Sequence, residues 1–99
     1  MGEDYVKLAR SKGLLRGTPL RAGQGLVLEP AAQVHSFGLA YPIDVVFCDR
    51  SGVVLHVVRA MRSRRVTRWV RKGRYAIELP AGTVPETLLP GQRLSFDLS

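Results

Sequence analysis

The sequence has a single cysteine, Cys48, which excludes an intrachain disulfide and any metal site built on a CxxC pair. Long apolar runs are also missing: the VVLHVV run at residues 53–58 is far shorter than the ~20 residues that a membrane helix needs. The N-terminal MGEDYVKLAR lacks the apolar core of a signal peptide. These absences predict no transmembrane segment, a cytoplasmic location, and an inert, buried thiol at Cys48.

Acidic residues are few, and one stretch has none. The net charge is +7, and residues 59–74, here called the basic segment, hold eight Lys or Arg and no Asp or Glu. The rest of the chain has seven basic residues against eight acidic ones, so the basic segment carries the whole excess. Such clustering creates a local positive field, and the accompanying Trp69 can stack on bases.

This charge pattern predicts an anionic partner, which can be nucleic acid, an acidic protein or a lipid surface. The alternative is a solvated segment whose charge only keeps a small domain soluble. The candidate residues for binding a polyanion are Arg62, Arg64, Arg68, Trp69, Arg71 and Lys72.

A length of 99 residues predicts a single domain over residues 1–99. Asp4 as N-cap, helical spacing and a terminating Gly13 predict a short N-terminal helix. The DRSG sequence at residues 49–52 predicts a type I turn between two central strands. The expected fold is mainly β, a small β-sandwich or barrel with a short N-terminal helix. Runs rich in β-branched and aromatic residues predict strands at residues 26–30, 34–41, 43–48, 53–60, 66–70, 75–79 and 92–98.

Three ionisable side chains lie in apolar surroundings: His35 and Asp44 within VHSFGLAYPIDVVFCD, and Glu78 within IELPAG. A buried carboxylate has to be paired or hydrogen-bonded, so Asp44 needs either the amides of a neighbouring turn or an arginine such as Arg65. The candidate ligand-binding residues are therefore His35, Asp44, Arg65 and Glu78. The alternative is structural, with His35 tying backbone segments together and the carboxylates anchoring loops.

If His35, Asp44 and Glu78 converged, they could serve a small metal-dependent or acid–base enzyme. Three single ligands without close pair spacing are a weak metal pattern, and the sequence has no nucleophile elbow. We therefore expect no metal, no cofactor and no catalysis, and a ligand-binding or interaction module instead. A polyanion-binding accessory protein and the small enzyme are the alternatives.

Four segments together resemble one bacterial and archaeal family, domain of unknown function 192: GLL (13–15), GLVLEP (25–30), VHSFGLAYPIDVVFCD (34–49) and ELPAGT (78–83). The resemblance runs from about residue 4 to residue 96. It implies a mostly-β, sandwich-like domain with a short helix, and it brings no established activity.

The chain departs from this family at three places. Leu39-Ala40 stands where members usually have Met-Arg, and Ser63-Arg64-Arg65 stands where they have Pro-Trp-Arg. Members also begin with a β-hairpin before the helix, whereas this chain begins at the predicted helix. A missing hairpin would leave a sheet edge open, which predicts a homodimer through that edge.

Overall fold

The computed structural model describes residues 7–10 and 24–94, and its five strands form one sheet. The order across the sheet is β1-β2-β5-β3-β4, with β1 parallel to β2 and all other neighbours antiparallel. The mainly β prediction is confirmed, but within the described residues the strands form one open sheet, and neither the two sheets of a sandwich nor a closed barrel. The strands are β1 (Lys7–Arg10), β2 (Gln24–Leu28), β3 (Ile43–Cys48), β4 (Val54–Met61) and β5 (Tyr75–Pro80).

The predicted N-terminal helix is not confirmed, because Lys7–Arg10 forms the edge strand β1. The other residues of that helix lie outside the described part of the chain. A segment of four residues is too short for its apolar pattern to distinguish a helix from a strand. The strand conformation of Lys7–Arg10 follows from its main-chain pairing with β2, in which Lys7 pairs with Gln24. Among the described residues, no helix has the length and apolar character needed to cross a membrane.

The centre of the sheet is β3, whose sequence IDVVFC is buried along its whole length. It pairs with β5 on one side and with β4 on the other, and the DRSG turn joins β3 to β4. The Gly52 amide donates to the Asp49 carbonyl at 3.0 Å, as the predicted turn requires. Gly52 has a φ of +86° and packs against the Leu94 carbonyl, so a larger residue is excluded there.

Both faces of the sheet are covered, which explains why β3 and β5 are buried on both sides. One apolar cluster joins Val46, Cys48 and Ile77 to Val84, from the loop that follows β5. The opposite cluster joins Val45, Phe47 and Ala76 to Val34 and Val70, from the loops that precede β3 and follow β4.

The cover of the second face is a pair of extended loops, residues 31–37 and 62–74, which we call the ribbon. The loops run antiparallel: the Thr67 amide donates to the Val34 carbonyl at 2.9 Å, and the Val70 amide donates to the Ala32 carbonyl at 2.7 Å. Most of the basic segment therefore forms half of the ribbon, with Val34 and Val70 facing the sheet.

The strand predictions succeed for β2 to β5 and fail in the ribbon. The predicted strands at residues 43–48, 53–60 and 75–79 correspond to β3, β4 and β5, and residues 26–30 overlap β2. In place of strands at residues 34–41 and 66–70, the structure has a single bridge between His35 and Val66. The last predicted strand is reduced to a bridge at Arg93, and residues 95–98 of it lie outside the described residues.

Candidate functional site

Asp44 is 2% exposed, and its carboxylate accepts three backbone hydrogen bonds. Oδ1 accepts from the Ala60 amide at 2.8 Å, and Oδ2 accepts from the Gly82 and Val84 amides, both at 3.0 Å. This agrees with the amide alternative of the sequence analysis and not with an Arg65 partner. The recorded bonds of Arg65 go to Ser36 and Arg64. Because its oxygens are occupied by the protein's own amides, Asp44 works as an anchor that joins β4 to the loop after β5.

Asp44 stands opposite a β-bulge in β4. Ile43 pairs with Met61 and Val45 pairs with Val58, so two residues of β4 face Asp44 alone. One of the two is Ala60, with a φ of +50°, a left-handed conformation that is unusual for a residue with a side chain. The hydrogen bond from the Ala60 amide to Asp44 holds this conformation in place.

Arg59, the other bulge residue, is fixed by the same loop that Asp44 holds. Its Nη1 donates to the Val84 carbonyl at 2.8 Å, and its Nη2 donates to the Pro85 and Leu88 carbonyls at 3.0 and 3.2 Å. Asp44 therefore binds amides of this loop while Arg59 binds its carbonyls. This role is not visible in the sequence, where Arg59 looks like one more cation of the basic segment.

We expect Arg59→Ala to lower the free energy of unfolding by about 1 kcal/mol, because three charge-assisted hydrogen bonds are lost, although the residue is exposed. Arg59→Lys should restore little, since one ammonium cannot follow the guanidinium geometry. Urea denaturation measures the effect, with Arg62→Ala, an exposed arginine, as the control. Equal stability of the two alanine variants would contradict the role of Arg59.

Glu78 lies on the other face of the sheet from Asp44. Asp44 pairs with Leu79, whereas Glu78 pairs with Val45 and Leu26. Since successive side chains of a strand point to opposite faces, Asp44 joins the cluster that contains Leu79, and Glu78 joins the cluster that contains Val45. Glu78 is 1% exposed there. The two carboxylates therefore do not share a site.

His35 is exposed on the ribbon, and its Nδ1 accepts from the Phe37 amide at 3.3 Å. Its ring also contacts the Phe37 ring, with 5.5 Å between centroids. The imidazole therefore lies on the exposed surface of the ribbon, whereas Glu78 is buried. With Asp44 and Glu78 on opposite faces, the three groups do not form the site that the enzyme alternative needs. Within the described ranges, no three His, Cys, Asp or Glu residues group closely enough to hold a metal ion.

The ribbon carries most of the positive charge of the basic segment. Arg59 is bound to carbonyls, and Arg74 forms an ion pair with Glu29 at 2.9 Å. The other six cations are exposed, and over residues 24–94 none of them has an acidic partner. These six are Arg62, Arg64, Arg65, Arg68, Arg71 and Lys72. Their field extends to β4, where burial lowers the pKa of His56 and the charge of Arg68 lowers it further.

Two buried hydroxyl groups hold the ribbon from beneath. Ser36 is fully buried; its Oγ donates to the Arg62 carbonyl at 2.5 Å and accepts from the Arg65 amide at 2.9 Å. Thr67 Oγ1 accepts from the Val34 amide at 3.0 Å and donates to the Arg68 carbonyl at 3.0 Å. The backbone that carries the arginines is therefore fixed, while their side chains are exposed to a partner. Neither Ser36 nor Thr67 stands out in the sequence, because no motif marks either residue.

Two basic side chains project from left-handed backbone, at Arg64 (φ +61°) and Lys72 (φ +68°). Glycine adopts this conformation at no steric cost, whereas a residue with a side chain loses about 1 kcal/mol or more there. Such conformations concentrate at functional sites, so a cation at each of these two positions favours a role for the charge itself.

Cys48 is fully buried in β3, as the sequence analysis predicted, and burial together with the nearby Asp49 carboxylate raises the pKa of its thiol to about 11. The thiolate is the reactive form, so Cys48 should be inert in the folded protein. We expect no reaction with a thiol reagent near pH 8 in native buffer and rapid reaction in urea, followed by absorbance. Rapid labelling of the native protein would contradict the burial of Cys48.

Comparison with solved structures supports this architecture. A protein of unknown function from Novosphingobium aromaticivorans DSM 12444 superposes with a TM-score of 0.72 at 17% identity, over 92% of this chain and 74% of that one. A protein from Sinorhizobium meliloti 1021, described as "a putative transcription regulator", superposes with a TM-score of 0.68 at 20% identity, over 89% and 78% of the two chains. At these identities the likeness concerns the fold.

A search of curated proteins finds no match. The model of the family DUF192, described as "Uncharacterized ACR", matches residues 6–96, nearly the whole chain. This match agrees with the resemblance carried by the segments around His35, Asp44 and Glu78. The chain therefore belongs to the family of domain of unknown function 192.

Proposed function

We propose that this protein is a non-catalytic interaction module that binds an anionic partner with the exposed side chains of the ribbon. The observation that carries the proposal is the set of six exposed cations without an acidic partner on residues 62–72, within the described part of the chain. Unpaired clustered cations attract polyanions over distances that single charges do not reach.

The acidic residues of residues 24–94 leave this field intact. Asp44 and Glu78 are buried within the sheet, and Glu29 is used by Arg74 at one end of the ribbon. Asp49 is occupied by the Ser51 and Val53 amides in the turn between β3 and β4. Glu86 is exposed, but it lies in the loop after β5, which covers the face of the sheet opposite the ribbon. A partner approaching the ribbon therefore meets arginine with little competing negative charge.

A titration with heparin and with oligonucleotides at ~50 mM salt tests the proposal, because phosphate or sulfate contacts are strongest at low ionic strength. We expect binding of both polyanions, lost progressively as salt is added. Absence of binding to every polyanion at low salt would refute the proposal and leave solubility as the role of the charge.

Self-association is a separate proposal that concerns the sheet edges. The edges of the described sheet are β1 and β4, and an edge can be satisfied by the same edge of a second copy. We expect sedimentation velocity to detect a dimer whose population rises with protein concentration. A monomer at all concentrations would contradict this proposal and would leave the anionic partner untouched.

A further inference from the structure

The ribbon also concentrates the exposed aromatic surface of the protein. Trp69 is 67% exposed and Phe37 is 53% exposed. The described residues include four exposed large hydrophobic side chains, and three of them, Phe37, Val66 and Trp69, lie on the ribbon. Only Leu89 lies elsewhere, in the loop after β5. Single exposed apolar side chains are common on protein surfaces, but the concentration of three of these four on one segment favours a contact site on the ribbon.

The rings lie among the cations. His35 and Val66 form a bridge whose flanking hydrogen bonds, from Ser36 to Arg65 and from Thr67 to Val34, make it a non-hydrogen-bonded pair. In such a pair the two side chains lie close together on one face, here the exposed one. Phe37 extends this face through its ring contact with His35. Trp69 adjoins Arg68, whose Nη1 donates to the Trp69 carbonyl at 3.2 Å.

The combination of exposed cations and exposed aromatic rings on the ribbon favours one class of anionic partner over the others. Heparin, duplex DNA and an acidic protein engage the cations but offer no unpaired flat bases to an exposed ring. Single-stranded nucleic acid offers both, since its phosphates bind arginine and its splayed bases stack on aromatic side chains. Five of the six exposed cations are arginine, whose planar guanidinium pairs with phosphate in bidentate fashion and stacks on rings.

A lipid surface is the nearest competitor, because tryptophan and cations also suit the membrane interface. Interfacial anchors are usually amphipathic helices that insert a broad aliphatic face. The ribbon instead is extended chain, fixed from beneath by Ser36 and Thr67, and it presents flat rings with one valine. This geometry suits stacking better than insertion.

We propose that the anionic partner is single-stranded nucleic acid, with Trp69 and Phe37 stacking on bases and the ribbon arginines binding the flanking phosphates. This inference rests on the proposed function and names the partner class for the same surface. Stacking is tolerant of sequence because every base has a flat face. Binding therefore discriminates single strands from duplex more than it discriminates one base from another.

Trp69 is the sole tryptophan of the chain, so its fluorescence reports directly on the ribbon. We expect a short oligothymidylate to quench this fluorescence, and a matched duplex or heparin to bind with much less quenching. Measured by the fluorescence anisotropy of a labelled oligothymidylate, Trp69→Ala should weaken binding about five- to a hundredfold, as expected for loss of one stacked base. Trp69→Phe should retain most of the affinity, and binding of heparin should be unchanged in both variants.

Leu89→Ala is the matched control, since it also removes an exposed large apolar side chain but lies off the ribbon. It should bind oligothymidylate as the unaltered protein does. If Trp69→Ala binds oligothymidylate at full affinity while heparin binding persists, single-strand recognition is refuted and the proposed function survives. If no polyanion binds, both are refuted. Binding to anionic vesicles that depends on Trp69 and exceeds binding to oligothymidylate would also overturn the inference, in favour of a lipid surface.

Discussion

Replacement of Asp44 by alanine should lower the free energy of unfolding by about 2–4 kcal/mol. The carboxylate accepts from three backbone amides, and removal of one side chain would leave all three without an acceptor. The Gly82 and Val84 amides belong to the loop that covers one face of the sheet, and the Ala60 amide belongs to the bulge of β4. Loss of the Asp44 carboxylate should therefore destabilise both the edge strand β4 and the loop that covers this face of the sheet.

Urea denaturation of the variants measures this effect. Asp49→Ala is the control, because Asp49 also accepts two backbone amides but lies nearer the surface, where water can replace the carboxylate. We expect it to cost less than about 1 kcal/mol. The cost of Asp44→Asn should lie between the costs of these two alanine variants. Asparagine keeps one acceptor oxygen, but its side-chain NH2 group would point at the remaining backbone amides. An Asp44→Ala variant as stable as Asp49→Ala would contradict the anchoring role.

Neutralising four ribbon arginines should remove most of the affinity for polyanions while the fold persists. If four to five phosphates are bound, log K falls with log salt at a slope of about −3 to −4, and the four substitutions should bring that slope close to zero. Exposed cations contribute little to stability, so the melting temperature should change little. The variant carries Arg62→Gln, Arg64→Gln, Arg68→Gln and Arg71→Gln.

A pair of double variants distinguishes the effect of the ribbon charges on affinity from the effect of total net charge. Arg64→Gln with Arg68→Gln removes two ribbon charges, and Arg50→Gln with Arg93→Gln removes two exposed charges elsewhere. Titration by fluorescence anisotropy at ~50 mM salt should show a loss of affinity of about tenfold or more for the ribbon pair and a much smaller loss for the other pair. Equal losses would mean that total charge, and not the ribbon, governs binding.

The central strands of the sheet were predictable from the sequence because they are rich in residues that favour strands. IDVVFC combines β-branched and aromatic residues, and DRSG has a turn residue at each required position. The ribbon was not predictable as such, because hydroxyl groups replace ladder hydrogen bonds at Ser36 and Thr67. Lys7–Arg10 was assigned to a helix from the N-cap Asp4, the helical spacing and Gly13, and its pairing with β2 depends on residues that are distant in the sequence.

The candidate site was predictable in its parts but not in its assembly. Burial of Asp44 followed from its apolar neighbours, and amides of a turn were one of its two expected partners. That Asp44 and Glu78 face opposite sides depends on the register between β3 and β5, which composition does not reveal. Arg59 was indistinguishable from other cations for the same reason, since its acceptors lie about twenty-five residues further along the chain.

The most direct test of the proposed function is to map the binding surface at residue level. Backbone amide chemical shifts of the isotope-labelled protein, followed during titration with oligothymidylate at low salt, locate the contact without any substitution. We predict shift changes concentrated at residues 33–37 and 62–72, together with the Trp69 indole, and small changes in the loop at residues 82–92. Changes spread evenly over the surface, or centred on that loop, would contradict binding by the ribbon.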